Sequence, residues 1–213
     1  MNPPFEILFE DNHILVCIKP AGIPTQSRNI ATKDMESQLK TYLYSKECRY
    51  LGLVHRLDTP VRGVMVFAKT PFAAAELSKA IRQGKFTKIY QAVVYGNVNT
   101  QSGILEDYLI KESKGNLSRV VDKSVSGSKY SKLSYKVISY NKMHNTTLVE
   151  VTLTTGRHHQ IRVQLSNAGF PIVGDTKYAY KLVTNDSHQK LQLEAIRLSF
   201  MHPKSGKQLT FAL

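Results

Sequence analysis

The feature that most constrains the fold is a pair of apolar runs joined by a short charged segment. Residues 51–54 (LGLV) and 64–68 (VMVFA) are each typical of a strand in a packed core. Thr59-Pro60 and Gly63 predict a turn between them. Ionised groups beside a core are costly unless they are paired or have a function. The charged residues that need such a reason are His55, Arg56 and Asp58.

The rest of the chain shows mainly the patterns of hairpins. Apolar strands are predicted on both sides of Asp11-Asn12, in residues 85–96, 130–140 and 146–154, and on both sides of 203–206. Helical spacing or capping predicts helices over 35–43 and 71–83, and a short helix that Gly169 stops. Strands outnumber helices, so the expected fold is α+β, with a mixed, mostly antiparallel sheet flanked by helices and loops. No linker or repeat divides residues 1–213, which predicts a single domain.

The charge indicates a polyanionic partner. The 213 residues include 29 Lys and Arg against 16 Asp and Glu, a formal net charge of +13. Residues 111–136 are basic and rich in Ser and Gly, which predicts a flexible loop or hairpin that contacts phosphates. A basic protein without a nucleic-acid role remains the alternative.

Other classes of protein are disfavoured. No apolar run reaches the ~18 residues that cross a bilayer, and the first residues show no signal pattern. The two cysteines, Cys17 and Cys48, form no CxxC motif, so neither a disulfide framework nor a zinc site is predicted. We therefore expect a cytoplasmic protein without membrane contact.

Several polar segments are candidates for chemistry, each with a simpler alternative. Asp58 could only begin a turn, and Tyr90 could only lie on a sheet face. Lys19, in KPAGIP, could be a loop residue. The segment TTGRHHQIR is too polar for a core, and a helix beginning after Gly156 would aim amide groups at an anion. Its two histidines are adjacent, which is not the spacing of metal ligands on one helix face.

Five segments together resemble a known family. They are KPAG at 19–22, HRLD with the following glycine and FAK at 55–69, KIYQAVVYG at 88–96, TGRHHQIR at 155–162, and LEAIRLSFMHP at 193–203. In this order they resemble the RluA-type pseudouridine synthases over nearly the whole chain. The pair of HRLD and TGRxHQIR is specific, whereas either motif alone is weak.

The resemblance implies an enzyme that isomerises uridines in structured RNA (rRNA or tRNA) to pseudouridine. The bond between N1 and C1′ breaks, the uracil turns, and C5 bonds to C1′. No redox step or group donor is needed, so neither a cofactor nor a metal is implied. The family fold has its active-site cleft across the sheet. We expect a monomer without a protein partner.

The resemblance also implies roles for individual residues. Asp58 would be the essential carboxylate, and Arg157 the cation that keeps it ionised. Tyr90 would stack on the uracil and take the C5 proton, while Ile161 would pack against the ring. Arg56 would fill the gap that the flipped uridine leaves. Further substrate or RNA contacts are expected from His55, Arg162, Lys19, Lys123, Lys129 and Lys132.

Two departures from the family pattern are visible. Family members usually carry a Thr-Ser pair before the glycine, where this chain has Pro60-Val61-Arg62, which affects the expected substrate preference. The second departure is an expectation: the small N-terminal RNA-binding domain that many relatives carry is absent. Two rival functions remain: an RNA hydrolase that uses Asp58 with a metal or with His55 or His159, and an RNA-binding module without catalysis.

Overall fold

The computed structural model describes residues 5–29, 31–179 and 190–213. Its strands are β1 (Ile7–Glu10), β2 (Ile14–Lys19), β3 (Gly52–Leu53), β4 (Arg62–Ala68), β5 (Phe86–Tyr95), β6 (Ser102–Lys111), β7 (Ser118–Val121), β8 (Lys129–Asn141), β9 (Thr146–Leu153), β10 (Leu193–Met201) and β11 (Gln208–Ala212). Its helices are α1 (Met35–Tyr44), α2 (Pro71–Arg82) and α3 (Gln160–Asn167). The chain divides into two compact units, of which the first is Met1–Lys88 with Ala195–Leu213 and the second is Ile89–Glu194.

The first unit is built on the strand order β1-β2-β4-β10, with β3 paired to β4 and β11 paired to β10. The β2–β4 pair is antiparallel and runs from Ile14 opposite Ala68 to Lys19 opposite Gly63. Alternate residues of these strands form a buried apolar cluster with α2 and β10, because side chains of period two share one face. The register therefore brings Lys19 beside the segment that precedes β4.

The two helices of the first unit begin at the caps that the sequence favours. Asp34 accepts a hydrogen bond from the Ser37 amide, and the Ser37 hydroxyl bonds back to the Asp34 amide, so a capping box starts α1. Thr70 caps α2 by accepting from the Ala73 amide. Gly84 follows the end of α2 with a left-handed φ of 69°.

Gly63 occupies a position that excludes every side chain. Its φ is +154°, and a Cβ at this position would lie 2.4 Å from the Ala195 carbonyl oxygen. Strand β4 therefore approaches β10 too closely for any residue but glycine. The glycine that follows HRLD in the sequence thus has a packing reason in this structure.

The second unit has the strand order β5-β9-β8-β6-β7, and its neighbouring strands are antiparallel. Helix α3 packs against β6 and β7. The basic segment 111–136 contains the end of β6, all of β7 and the first part of β8. About half of it is therefore paired strand, and the loops that its composition predicts are the two connections over residues 112–117 and 122–128.

The structure confirms the α+β class and the mixed, mostly antiparallel sheet, and it confirms each predicted hairpin and helix. Two elements differ from the prediction. The apolar run 51–54 forms only a two-residue strand, because the chain leaves the sheet at Val54. Strand β6 was not predicted, since acidic residues 106 and 107 interrupt its apolar pattern. The assignment of 1–213 to one catalytic domain stays a prediction.

Helix length bears on the membrane question. Across the described ranges the longest helix is α2, with 12 residues, and none combines the length and apolarity needed to span a bilayer.

Candidate active site

Asp58 lies half-buried in a tight turn of the first unit. Its carbonyl accepts from the Val61 amide at 3.0 Å, which closes the turn. The next carbonyl, that of Thr59, accepts from the Gly22 amide at 2.8 Å. The KPAG loop is therefore hydrogen-bonded to the turn that follows HRLD. Two motifs that are distant in the sequence form one local structure.

Lys19 is the centre of this structure, and it is fully buried. Its Nζ donates to the carbonyl oxygens of Pro20 at 2.9 Å, Thr59 at 3.0 Å and Val61 at 2.8 Å. An ammonium group has three N–H donors, so all of them are used. This placement corrects the expected RNA contact of Lys19, because no donor is left for a phosphate.

Burial and charge act in opposite directions on Lys19. The pKa of its ammonium group falls from 10.5 to about 8, because burial lowers it by more than attraction to the Asp58 carboxylate raises it. Coulomb attraction is mutual, so the charge of Lys19 also favours the ionised form of Asp58. The first unit thus supplies a cation next to the candidate carboxylate.

Thr25 fixes the backbone between Arg56 and Asp58. Its buried hydroxyl donates to the Leu57 carbonyl at 2.8 Å and accepts from the Leu57 amide at 3.2 Å. Leu57 is buried, whereas Arg56 is exposed. This clamp presents Arg56 to solvent, as the expected RNA contact requires. The sequence analysis did not identify Thr25, although a threonine just after the KPAGIP loop is a candidate for such a backbone clamp.

His55 is held inside the first unit. Its Nε2 accepts from the Val66 amide at 3.1 Å, its Nδ1 is buried, and its ring meets the edge of Phe86 at 5.6 Å. Burial, and secondarily the charge of Lys88, lowers the pKa of His55 to about 3. The ring is therefore neutral at physiological pH. This corrects the expected RNA contact, because neither ring nitrogen is available to it.

Tyr90 and Ile161 are buried in the second unit, and Arg157 is exposed. Tyr90 lies in β5 opposite Val151 of β9. Arg157 donates from Nε to the Tyr130 carbonyl at 3.0 Å. Asp58 belongs to the first unit, so its pairing with Tyr90 and Arg157 stays a prediction.

Arg162 forms a buried ion pair. Its Nε and Nη2 donate to the two carboxylate oxygens of Asp175, each at 2.7 Å, and the two side chains are 5% and 0% exposed. This bidentate geometry is the strong form of an arginine–carboxylate contact. The Arg162 guanidinium is therefore inside the protein. This placement corrects the RNA contact that we expected from Arg162.

Gln160 organises the TGRHHQIR segment. Its Oε1 accepts from the Arg157 amide and from the Thr155 hydroxyl, both at 2.9 Å, and its Nε2 donates to the Lys132 carbonyl at 3.1 Å. Helix α3 begins only at Gln160, after His159 in a left-handed conformation, and not directly after Gly156. The main-chain amide of Gln160 donates to the Arg157 carbonyl, so this N–H group is not available to an anion. The sequence analysis did not predict this role of Gln160, because it assigned functions only to the neighbouring arginines, histidines and Ile161.

The histidines next to Gln160 are also bonded within the second unit. His158 contacts the Ser118 hydroxyl at 2.8 Å and Asn116 at 2.9 Å. The Nδ1 of His159 forms a hydrogen bond with the Tyr178 hydroxyl at 2.9 Å, and burial lowers the pKa of His159 to about 3. Within the described ranges, no three His, Cys, Asp or Glu side chains cluster in a way that could hold a metal.

The basic residues of segment 111–136 differ in their surroundings. Lys123 and Lys129 are exposed, as phosphate contacts require. Lys132 pairs with Glu106 at 2.6 Å, and this contact raises the pKa of the lysine. Part of the charge of Lys132 is therefore neutralised within the protein.

Comparison with known proteins agrees with these motifs. The family model described as RNA pseudouridylate synthase matches residues 13–167. The chain therefore belongs to the RNA pseudouridylate synthase family, which confirms the resemblance inferred from the sequence.

Individual relatives are similar over most of the chain. One is the ribosomal large subunit pseudouridine synthase D of Zymomonas mobilis, 32% identical over 98% of this chain and 68% of the relative. Another is the dual-specificity RNA pseudouridine synthase RluA of Vibrio vulnificus, 35% identical over 96% of this chain and 80% of the relative. The uncharacterized RNA pseudouridine synthase YhcT of Bacillus subtilis is 32% identical over 93% of this chain, which spans 64% of that relative.

Solved structures show the same fold. Human RNA pseudouridylate synthase domain containing 4 has a TM-score of 0.77 at 24% identity, covering 98% of this chain and 87% of its own. Human RNA pseudouridylate synthase domain containing 1 has a TM-score of 0.81 at 19% identity. The match covers 99% of this chain and 83% of the human chain. At these identities the likeness establishes the fold alone.

We predict that Lys19→Met lowers the free energy of unfolding by at least ~1–3 kcal/mol, the cost of leaving a buried acceptor without a donor. Urea unfolding followed by circular dichroism measures this loss. Lys85→Met is the control, because Lys85 is exposed and such surface changes stay within ~0.5 kcal/mol. Equal midpoints for the two variants would show that the three carbonyl contacts add nothing.

We predict that His55 makes the fold sensitive to acid. Its pKa of about 3 lies below the ordinary 6.5, so the unfolded chain takes up the proton first as the pH falls. The stabilisation by neutral His55 is complete above pH 6.5 and is lost between pH 6.5 and 3. At pH 5 the loss reaches up to ~2 kcal/mol, from 1.36 kcal/mol per pKa unit.

The measurement is the difference in unfolding free energy between pH 7.5 and pH 5. His55→Gln should reduce this difference, whereas His144→Gln, at an exposed turn residue, should leave it unchanged. The same difference in wild type and His55→Gln would assign the acid sensitivity to other groups.

Proposed function

We propose that this protein is an RNA pseudouridine synthase that isomerises uridine to pseudouridine in structured RNA, either rRNA or tRNA. The observation that carries the proposal is Asp58, half-buried in the HRLD turn that buried Lys19 ties to the KPAG loop. A carboxylate fixed beside a cation is the group that this isomerisation needs. Family membership and the names of the relatives support the same reaction.

In the proposed reaction Asp58 acts in its ionised form, whether it attacks C1′, adds to the uracil ring or removes a ribose proton. Lys19 favours that form through the attraction described above. Arg157 was expected to supply this cation, and its role at Asp58 remains part of the proposal. Tyr90 would stack on the uracil and take the C5 proton, and Ile161 would pack against the ring.

The target uridine must leave its stack to reach a half-buried carboxylate. Arg56 is exposed on the segment that Thr25 clamps, and a planar guanidinium can stack on the bases that remain. We therefore propose that Arg56 fills the gap left by the flipped base. Pro60-Val61-Arg62 replaces the usual hydroxyl pair next to this segment and would influence which RNA is accepted.

The hydrolase alternative loses support from the two histidines it would use. A general base works best with a pKa near the working pH, but His55 and His159 both have a pKa of about 3. A binding module without catalysis remains the rival that activity assays must exclude. Action as a cytoplasmic monomer, without cofactor or protein partner, stays a prediction.

We predict that Asp58→Asn abolishes pseudouridine formation, by at least ~10³-fold, because the amide keeps the shape but cannot carry the charge. RNA affinity should stay within a factor of about two, and a melting curve should show a folded protein. The assay follows tritium release from C5 of labelled uridine in a transcript of the rRNA or tRNA. Asp122→Asn, at an exposed aspartate of the connection between β7 and β8, should retain full activity. Turnover by Asp58→Asn would refute the assignment.

We predict that Lys123→Gln combined with Lys129→Gln flattens the salt dependence of RNA binding. Each phosphate contact contributes ~0.7–0.9 to the slope of log affinity against log salt concentration. Lys132→Gln is the matched control in the same basic segment, because Lys132 is already paired with Glu106. Fluorescence anisotropy between 50 and 200 mM salt measures the slopes. A larger change in the control than in the double variant would place the phosphate contacts elsewhere.

A further inference from the structure

A second place in the first unit combines a cavity with aromatic and basic side chains. The cavity lies at the end of α1 and has a volume of about 200 Å³, against ~30 Å³ for one water molecule. Leu43 and Leu51 in its lining are buried, whereas Tyr44 is 65% exposed and Tyr50 is 36% exposed. This space, the α1 pocket, admits a planar ring. Its other lining residues are Lys40, Cys48 and Arg49.

The walls of the α1 pocket are held in place by local bonds. The amides of Lys46 and Cys48 both donate to the Leu43 carbonyl, at 2.9 and 3.0 Å. A Cβ on Gly52 would lie 2.8 Å from the Tyr50 hydroxyl, so the Tyr50 ring packs directly on the Gly52 backbone. A preformed pocket loses little conformational entropy when a ligand binds.

Arg49 supplies charge at this pocket. Its guanidinium carbon lies 3.7 Å from the centroid of the Tyr44 ring, in a stacked cation–π contact. The neighbouring Lys40 and Lys46 pair with glutamates at 2.6 and 3.0 Å. In the part of the chain that the structure describes, Arg49 has no such carboxylate partner. Its charge is therefore available to an anion from outside.

We propose that the α1 pocket binds an unpaired nucleotide of the substrate RNA. Aromatic rings stack on bases of any sequence, and an arginine beside them contacts the phosphate or stacks as well. The net charge of +13 favours the same polyanionic partner. The pocket shares no residue with the turn of Asp58, so it is an additional RNA contact. This inference rests on the proposed function, because it names a further surface for the same substrate.

The chain has no tryptophan, which permits a direct test. Tyr44→Trp creates a single fluorescent reporter in the pocket, and a stacked base quenches indole emission. The probe is a single-stranded RNA of twelve uridines, titrated at one salt concentration. The matched control is Phe72→Trp in the same unit, because Phe72 is 52% exposed and lies 5.9 Å from the Lys204 ammonium but lines no part of the pocket.

We expect the RNA to quench the Tyr44→Trp reporter and to leave the Phe72→Trp reporter unchanged. Arg49→Gln on the Tyr44→Trp background should weaken binding about 3-fold or more. In the otherwise native chain, fluorescence anisotropy with the same RNA should show that Tyr44→Leu weakens binding about 5-fold or more, the lower range for a lost base stack. Absence of quenching at saturating RNA, or equal quenching of both reporters, would overturn the proposal. Equal binding of a twelve-base-pair duplex would overturn the assignment to unpaired nucleotides.

Two further measurements separate this inference from the proposed function. Quenching should persist in Asp58→Asn, since binding at the pocket does not require turnover. In the active enzyme, Arg49→Gln should raise KM for the RNA and leave kcat unchanged, because the pocket does not contact the reacting atoms. Quenching in Tyr44→Trp, together with no pseudouridine formed by the chain that retains Asp58, would refute the proposed function and support the pocket. Turnover without quenching would support the proposed function and refute RNA binding at the α1 pocket.

Discussion

The candidate site of the first unit depends on the buried ammonium group of Lys19. Three carbonyl oxygens from two motifs about 40 residues apart accept its hydrogen bonds, and Asp58 supplies the opposing charge. Burying a lysine is costly unless every donor is satisfied, and here every donor is. The register of β2 against β4 brings Lys19 opposite Gly63, and the missing side chain of Gly63 lets β4 approach Ala195. The position of Asp58 is therefore a consequence of sheet packing.

Neutral polar side chains complete the scaffold of both motif regions. Thr25 clamps the backbone of the HRLD segment, and Gln160 ties TGRHHQIR to β8. His55 and His159 are kept neutral by burial, so each serves as a fixed hydrogen-bonding group. Chemistry that needs His55 or His159 to titrate near neutral pH is therefore disfavoured. What the arrangement supports is chemistry at an ionised carboxylate.

Not every cation that contributes to the net charge of the chain is accessible to RNA. Lys19 spends its donors on carbonyls, Arg162 forms a buried pair with Asp175, and Lys132 pairs with Glu106. Exposed groups such as Arg56 and Arg49 remain for the partner. Recognition of RNA by this protein is thus proposed to use a few separate cations, some of them backed by aromatic rings.

The sequence by itself determined the family, the α+β class and nearly every hairpin and helix, because period, caps and turn residues act over short distances. It also singled out Asp58 as the candidate carboxylate. Only the tertiary structure decided which of the motif cations are internal. Lys19, His55 and Arg162 were expected at the RNA, but their partners are main-chain groups and the buried carboxylate of Asp175. Residue type and spacing do not reveal such partners, because burial is set by which strands and loops come together.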